Sequence, residues 1–125
     1  MINILKNYVA GEFVGGDELF DNISPVDGTL VSRVSEADRK IVDQAVGAAN
    51  EALSGEWGKF TVSERYEMLH AVADEMERRF DDFVAAEIVD TGKAHAQVKN
   101  IDIPRGAANF RFFADLAMAQ NVDKY

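Results

Sequence analysis

The sequence has 125 residues and contains no cysteine. Disulfides, thiolate metal sites and cysteine nucleophiles are therefore excluded within these residues. The sequence also lacks an apolar run long enough to cross a bilayer. The apolar stretch in its first residues is too short for the apolar region of a signal peptide. No membrane partner is expected, and a reducing cytoplasm is the expected compartment.

Positive charge is scarce. Lysine and arginine total 13 against 22 acidic residues, which gives a net charge of −9 at pH 7. Nucleic acids and anionic membrane surfaces would be repelled by such a surface, so neither is expected as a partner. The apolar fraction of 47% is ordinary for a folded protein, and the length allows at most one domain.

Residues 1–35 favour strands and turns. Gly11 lies between two short apolar segments and suits the tight turn of a β-hairpin. Leu19 to Ile23 and Leu30 to Val34 predict two further strands, joined by a turn in which Gly28 provides conformational freedom. This part of the chain is therefore predicted to form β-hairpins.

Residues 36–125 are predicted to form about four helices, which makes the fold class α+β. Asp38 is the predicted N-cap of the first helix, and Trp57 is placed in the loop after it. Thr61 and Glu64 form a capping box at the start of the second helix. The third is predicted to begin at an Asp81 cap and to end at Gly92 in the left-handed conformation. The fourth runs from about Ala94 to Gln120, with a kink near Pro104.

The fourth helix carries large apolar residues around an unusually wide arc, including Phe110, Phe112 and Phe113. A helix of this kind is normally buried between two layers, whereas the predicted hairpins and helices supply about one. The pattern therefore favours a piece of a larger fold over a self-contained domain. We expect this helix to lie beneath a sheet that these residues do not encode.

Asp90 lies in the last turn of the third helix, where free carbonyl groups already make the local potential negative. Carbonyl and carboxylate oxygens together suit an alkali or alkaline-earth ion. The alternative is that Asp90 pairs with Lys93 or stays hydrated. Spacing alone favours this alternative, since an acidic residue near a helix C-terminus costs only a fraction of a kcal/mol.

Arg105 follows Pro104 on an otherwise apolar helix. A guanidinium group binds a carboxylate through two parallel hydrogen bonds, so Arg105 is a candidate anchor for an acidic substrate. It is equally compatible with a surface arginine whose stem covers the helix. His70 and His95 lack the spacing of a zinc site or a catalytic triad, and neither is expected to act chemically.

Several separated motifs, in this order, resemble the N-terminal part of an NAD(P)-dependent aldehyde dehydrogenase. They are Gly11-Glu12-Phe13-Val14, Asn22-Ile23-Ser24-Pro25-Val26-Asp27-Gly28, Trp57, Ser63-Glu64-Arg65 and Asp90-Thr91-Gly92-Lys93. The segment from Asp102 to Arg105, with Ala107 to Phe112, resembles the branch that acts on 2-hydroxymuconic or 2-aminomuconic semialdehyde in the meta-cleavage of aromatic rings. The resemblance spans most of residues 7–120.

The resemblance implies a fold with a doubly wound, Rossmann-like NAD domain, a catalytic domain and an oligomerisation arm. Residues 1–125 would form an incomplete N-terminal part of the NAD-binding domain, with hairpins in 1–35, helices in 36–125 and no second domain. The family's cysteine nucleophile, glutamate base and NAD-binding motifs would lie after residue 125. This segment alone is therefore expected to be inactive and to bind no NAD.

The resemblance also implies site residues. Family members bind Na+ or K+ through two backbone carbonyls and a carboxylate. The carbonyls match those of Asn22 and Ile23, and the carboxylate matches that of Asp90. The resemblance therefore favours the hypothesis that Asp90 binds an ion. The arginine that matches Arg105 anchors the substrate carboxylate in the muconic semialdehyde branch. Ala94 and Ala10 depart from the family pattern, which has proline at the first position and asparagine or glycine at the second.

The resemblance further implies a homo-oligomer that oxidises a small aldehyde. The rival reading is a stand-alone, non-catalytic domain that uses its aromatic face for self-association or for binding another chain.

Overall fold

The computed structural model describes residues 2–120. They form two compact units, the first ending at Lys59 and the second beginning at Phe60. The described strands are β1 (Ile4–Leu5), β2 (Asn7–Val9), β3 (Glu12–Val14), β4 (Leu19–Ile23) and β5 (Leu30–Ser35). The described helices are α1 (Arg39–Ser54), α2 (Glu56–Lys59), α3 (Val62–Arg78), α4 (Phe80–Thr91), α5 (His95–Gln97) and α6 (Ile103–Ala119). This arrangement confirms the predicted α+β class.

The first unit contains a three-stranded sheet with the order β1-β5-β4. Strands β4 and β5 pair antiparallel, as the turn residues between them predict. Strand β1 adds to the other edge of β5 in the parallel direction, which the sequence did not predict. Parallel pairing joins segments that are distant along the chain, so no local turn signal in the sequence indicates it.

Strands β2 and β3 form a separate antiparallel hairpin. The two residues of its turn, Ala10 and Gly11, have φ angles of 51° and 86°. Two consecutive positive φ values are the requirement of a type I′ turn, whose twist matches the twist of the strands. The prediction that Gly11 supplies a positive φ is confirmed, and Ala10 adopts the same unfavourable region beside it.

Helix α1 begins as its sequence predicts, since the Asp38 carboxylate accepts a hydrogen bond of 2.7 Å from the backbone N–H of Ile41. The prediction that Trp57 lies in a loop is wrong, because Trp57 belongs to the short helix α2. Gly58 makes this additional helical turn sterically possible. A Cβ atom on Gly58 would lie 1.8 Å from the carbonyl oxygen of Leu53, so only glycine permits the approach.

The second unit begins with the predicted capping box. The Thr61 hydroxyl accepts a hydrogen bond of 3.2 Å from the backbone N–H of Glu64. The Glu64 carboxylate in turn accepts one of 2.7 Å from the backbone N–H of Thr61. Two backbone donors of the first turn of α3 are thereby satisfied.

The core of the second unit lies where α4, α6 and the segment before α6 meet. Its buried residues are Val84, Val98 and Ile103, against which Phe80, Phe83 and Ile88 pack. Helices α3 and α6 pack along each other through small residues, because Ala73, Ala107 and Ala114 are almost fully buried. Small side chains at a contact allow two helix backbones to approach closely.

Helix α4 differs from its prediction at the start and agrees at the end. It begins at Phe80 directly after Arg79, and Asp81 lies in its first turn, so the prediction of Asp81 as N-cap is wrong. Asp81 still suits this position, because a carboxylate in the first turn complements the helix dipole. Gly92 ends the helix with a φ of 68°, which confirms the predicted left-handed stop.

The segment predicted as one kinked helix is divided into α5, a π-helical turn at Val98–Asp102, and α6. The backbone N–H of Ile103 bonds to the carbonyl of Val98, five residues earlier. The irregularity therefore precedes Pro104, which occupies the first turn of α6, where its missing donor has no cost. In a regular α-helix Val98 and Ile103 would be separated by about 140° around the axis. The π turn brings both into the same core.

Candidate functional site

Arg105 lies in the first turn of α6, directly after Pro104. Its side chain is exposed, and no hydrogen bond or ion pair within residues 60–120 engages its guanidinium group. The sequence left open whether this arginine covers the helix or anchors a ligand. In the described part of the second unit, its donors remain available for a carboxylate.

Arg111 lies on the same helix and has a different environment. Its guanidinium group binds the carboxylate of Glu77 with contacts of 2.9 and 3.0 Å, and that of Asp74 with a contact of 2.5 Å. Both partners lie on α3, so Arg111 fastens the two helices together. Arg111 is thus a structural arginine and the natural comparison for Arg105.

Lys93 connects the end of α4 with the segment that leads into α6. Its ammonium group lies 2.8 Å from a carboxylate oxygen of Glu87 and 3.0 Å from one of Asp102. These contacts raise the pKa of Lys93 above its ordinary value, with Glu87 the larger cause and Asp102 the second. Lys93 directly follows Gly92, whose left-handed conformation ends α4. From this position its side chain contacts both acidic residues.

The aromatic face of α6, which we define as Phe110, Phe112 and Phe113, is exposed. The exposed fractions are 39% for Phe110 and 60% for each of the other two. Leu69 and Asn109 complete a shallow apolar groove of about 330 Å³ with Phe110 and Phe113. The residues of the second unit therefore leave this face largely uncovered, as the sequence predicts.

Asn22 and Ile23 occupy the end of β4, where the pairing with β5 is irregular. Asn22 pairs with Ser32 while Ile23 pairs with Leu30, so one residue of β5 is skipped. The Asn22 side chain donates a hydrogen bond of 3.3 Å to the Ser32 hydroxyl. A bulge of this kind takes backbone groups out of the regular ladder, which is compatible with carbonyl groups that serve as ligands.

Asp90 lies in the last turn of α4, two residues before the left-handed Gly92, as the sequence predicts. It belongs to the second unit, whereas Asn22 and Ile23 belong to the first. No group of three or more histidine, cysteine or acidic side chains within residues 2–120 is arranged to hold a metal ion. An ion at Asp90 would therefore need further oxygen donors, such as main-chain carbonyls, neutral side chains or water.

The two histidines lie on helices α3 and α5. His70 on α3 forms a contact of 2.8 Å with the carboxylate of Asp115 on α6, and its ring packs against Tyr66 with centroids 4.2 Å apart. His95 is the first residue of α5. The sequence missed the His70–Asp115 and Lys93–Asp102 pairs, because both join residues that only tertiary packing brings together.

The profile of the aldehyde dehydrogenase family matches residues 13–124. The chain belongs to this family. It is 52% identical over 114 residues to the 2-hydroxymuconic semialdehyde dehydrogenase of Pseudomonas sp. (strain CF600), covering 90% of this chain and 24% of that protein. It is 48% identical over 120 residues to the 2-aminomuconic 6-semialdehyde dehydrogenase of Pseudomonas sp, covering 96% of this chain and 24% of that protein.

The fold of this aldehyde dehydrogenase family member also matches solved structures. The crystal structure of PnpE in complex with nicotinamide adenine dinucleotide superposes with a TM-score of 0.87 at 33% identity, covering 96% of this chain and 24% of that one. The chain thus spans about a quarter of the length of the relatives it matches. None of the helices described within residues 2–120 has the length and apolarity required to span a membrane.

Proposed function

We propose that this chain is the N-terminal portion of an enzyme that oxidises a muconic-type semialdehyde to the corresponding acid with NAD+. The observation that carries the proposal is the identity of 48–52% to two semialdehyde dehydrogenases of that type across at least 90% of the chain. NAD as the cofactor is supported by the related structure that contains the dinucleotide. The residues that bind NAD and perform the reaction belong to later parts of the complete enzyme in this proposal.

Arg105 is the substrate anchor in this proposal. Muconic semialdehydes carry a carboxylate besides the aldehyde, and a guanidinium group holds a carboxylate through two charge-assisted hydrogen bonds. The exposed position of Arg105, without an ion pair inside the second unit, leaves its donors available for that purpose. The neighbouring Arg111 cannot take this role without giving up Asp74 and Glu77.

A bound Na+ or K+ ion is a further part of the proposal. The carbonyl groups of Asn22 and Ile23 and the carboxylate of Asp90 are the proposed ligands, all of them hard oxygen donors of the kind such ions prefer. The irregular pairing at the end of β4 supports it, as does the position of Asp90 beside the free carbonyls of a helix end. The proposed enzyme is a cytoplasmic homo-oligomer, in keeping with the family resemblance.

The exposed aromatic face of α6 supports the view that further chain packs on this unit. In the proposal, a later segment of the same polypeptide covers Phe110, Phe112 and Phe113. A stand-alone interaction domain would leave the same face for a second chain, and the coding sequence after Tyr125 distinguishes the two. An open frame with a cysteine–glutamate pair supports the enzyme, and a stop codon overturns it.

The experiment uses the product of the whole reading frame that contains this segment. NADH formation is measured with 2-hydroxymuconic semialdehyde and with a neutral aldehyde. Arg105→Ala is expected to raise KM for the acidic substrate about ten- to hundredfold, the range of a lost hydrogen-bonded charge, with a much smaller change for the neutral aldehyde. Arg111→Ala is the matched control and should not change the ratio of the two KM values. Equal losses on both substrates after Arg105→Ala would contradict the anchor role.

A further inference from the structure

Lys93 and Asp102 form an ion pair of 3.0 Å although they lie nine positions apart in the sequence. The ammonium group of Lys93 also binds Glu87, so one cation serves two carboxylates, with exposed fractions of 31% for the Glu87 side chain and 23% for that of Asp102. The summed charge of the three groups is −1. Removal of the lysine would leave two partly buried carboxylates with no cation between them, which is unfavourable because neither is fully hydrated.

Arg105 and Lys99 are the nearest cations along the chain to Asp102, and Arg105 is the one on the α6 side. Asp102 and Arg105 are three positions apart where the π turn leads into α6, and side chains at this spacing on a helix are neighbours. The same order of acid and arginine occurs on α3, where Glu75 and Arg78 form a hydrogen bond of 2.7 Å. In the described structure Asp102 faces Lys93, and Arg105 stays without a partner inside the second unit.

We infer that Lys93 is a positioning residue that holds the Asp102 carboxylate away from Arg105 and so keeps the guanidinium group available for a carboxylate-bearing substrate. This inference rests on the proposed role of Arg105. A purely structural role for Lys93 is the alternative. In that case its contacts would only fasten the end of α4 to the start of α6, and its loss would affect every substrate alike.

The test compares Lys93→Met, Lys93→Arg and the double variant Lys93→Met/Asp102→Asn in the product of the whole reading frame. In Lys93→Met the carboxylate of Asp102 competes with the substrate for Arg105. A helix-spaced ion pair of this kind is worth a few tenths of a kcal/mol to about 1 kcal/mol, which converts to a rise in KM for the acidic semialdehyde of about two- to fivefold. The KM for a neutral aldehyde should stay within experimental error of the parent value. Lys93→Arg keeps the cation and should behave like the parent protein.

The double variant separates positioning from structure. Asp102→Asn removes the competing charge, so the KM for the acidic substrate should return to the parent value although Lys93 is still absent. A structural role predicts no such rescue. If the double variant is no better than Lys93→Met, or if both substrates are affected equally, the inference is wrong.

Two further measurements keep the test decisive. A crystal structure of Lys93→Met should show the Asp102 carboxylate within hydrogen-bond distance of the Arg105 guanidinium, and an Asp102 that remains apart from it would overturn the inference. If Lys93→Met does not fold, Asp102→Asn alone is decisive. The inference then predicts an unchanged or lower KM for the acidic substrate, and a rise would contradict it. Arg105→Ala, measured in the same assay, shows separately whether the anchor role itself fails.

Discussion

The guanidinium group of Arg111 binds both carboxylate oxygens of Glu77, at 2.9 and 3.0 Å. The pair joins α6 to α3, and its bidentate geometry cannot be reproduced by an ammonium group. We expect Arg111→Lys to lower the free energy of unfolding by roughly 0.5–1 kcal/mol, measured by urea denaturation. Arg39→Lys is the control, since Arg39 is 94% exposed and its contact with Asp43 is 3.7 Å long. An equal effect of the two substitutions would argue against the importance of the bidentate pair.

Ala10 has a φ of 51° in the turn between β2 and β3. Alanine is strained there, whereas asparagine and glycine tolerate positive φ. Ala10→Asn should therefore raise the free energy of unfolding by about 0.5–1 kcal/mol, observed as a higher midpoint of thermal unfolding. Gly11→Ala provides the opposite case. A Cβ atom there would meet no other atom within 4 Å, so any loss of stability would come from the backbone alone.

The capping box of α3 should depend on pH. The backbone N–H and the hydroxyl of Thr61 lower the pKa of Glu64 below its ordinary value. Because the pKa is lower in the folded state than in the unfolded state, the stabilisation is complete above the unfolded pKa. It is lost as the pH falls through the folded pKa. Thermal unfolding of the parent protein and of Glu64→Ala should therefore differ near pH 7 and converge in acid.

Thr61→Ala removes the other half of the box and should cost about 1 kcal/mol near neutral pH. Ser63→Ala is a suitable control, because Ser63 lies in the same turn but takes no part in the capping box. A parent–variant difference for Glu64→Ala that stays constant down to strongly acidic pH would contradict the linkage of the cap to ionised Glu64.

Local signals predicted the local structure well. The Asp38 cap, the Thr61–Glu64 box and the Gly92 stop depend on hydrogen bonds and backbone angles within a few residues, so the sequence contains all the information required. The start of α4 was missed because its N-cap, Arg79, makes no side-chain capping bond. Asp81 lies in the first helical turn and presents the same residue type as a cap.

Features that depend on distant segments could not be predicted in this way. The parallel pairing of β1 with β5 rests on two residues, Ile4 and Leu5, whose partners lie almost thirty positions later. For the candidate site, residue type and position on an apolar helix made Arg105 a candidate, the family resemblance favoured a role as substrate anchor, and that role stays a prediction. The sequence did not identify Lys93 as the group between Glu87 and Asp102, because that arrangement exists only after the chain reverses at Gly92.

The π turn at Val98–Asp102 has a practical consequence for anyone who alters this segment. The turn shifts the helical register by one residue. A single helical wheel drawn for His95 to Ala119 therefore assigns the wrong residues to the buried face on one side of the turn. Deleting one residue from the turn should restore a continuous α-helix with Val98 and Ile103 still on the same side, about 40° apart. Forcing all five residues into a regular α-helix would instead rotate everything after the turn by about 100°. Arg105 would then point in a new direction although every residue of α6 was unchanged.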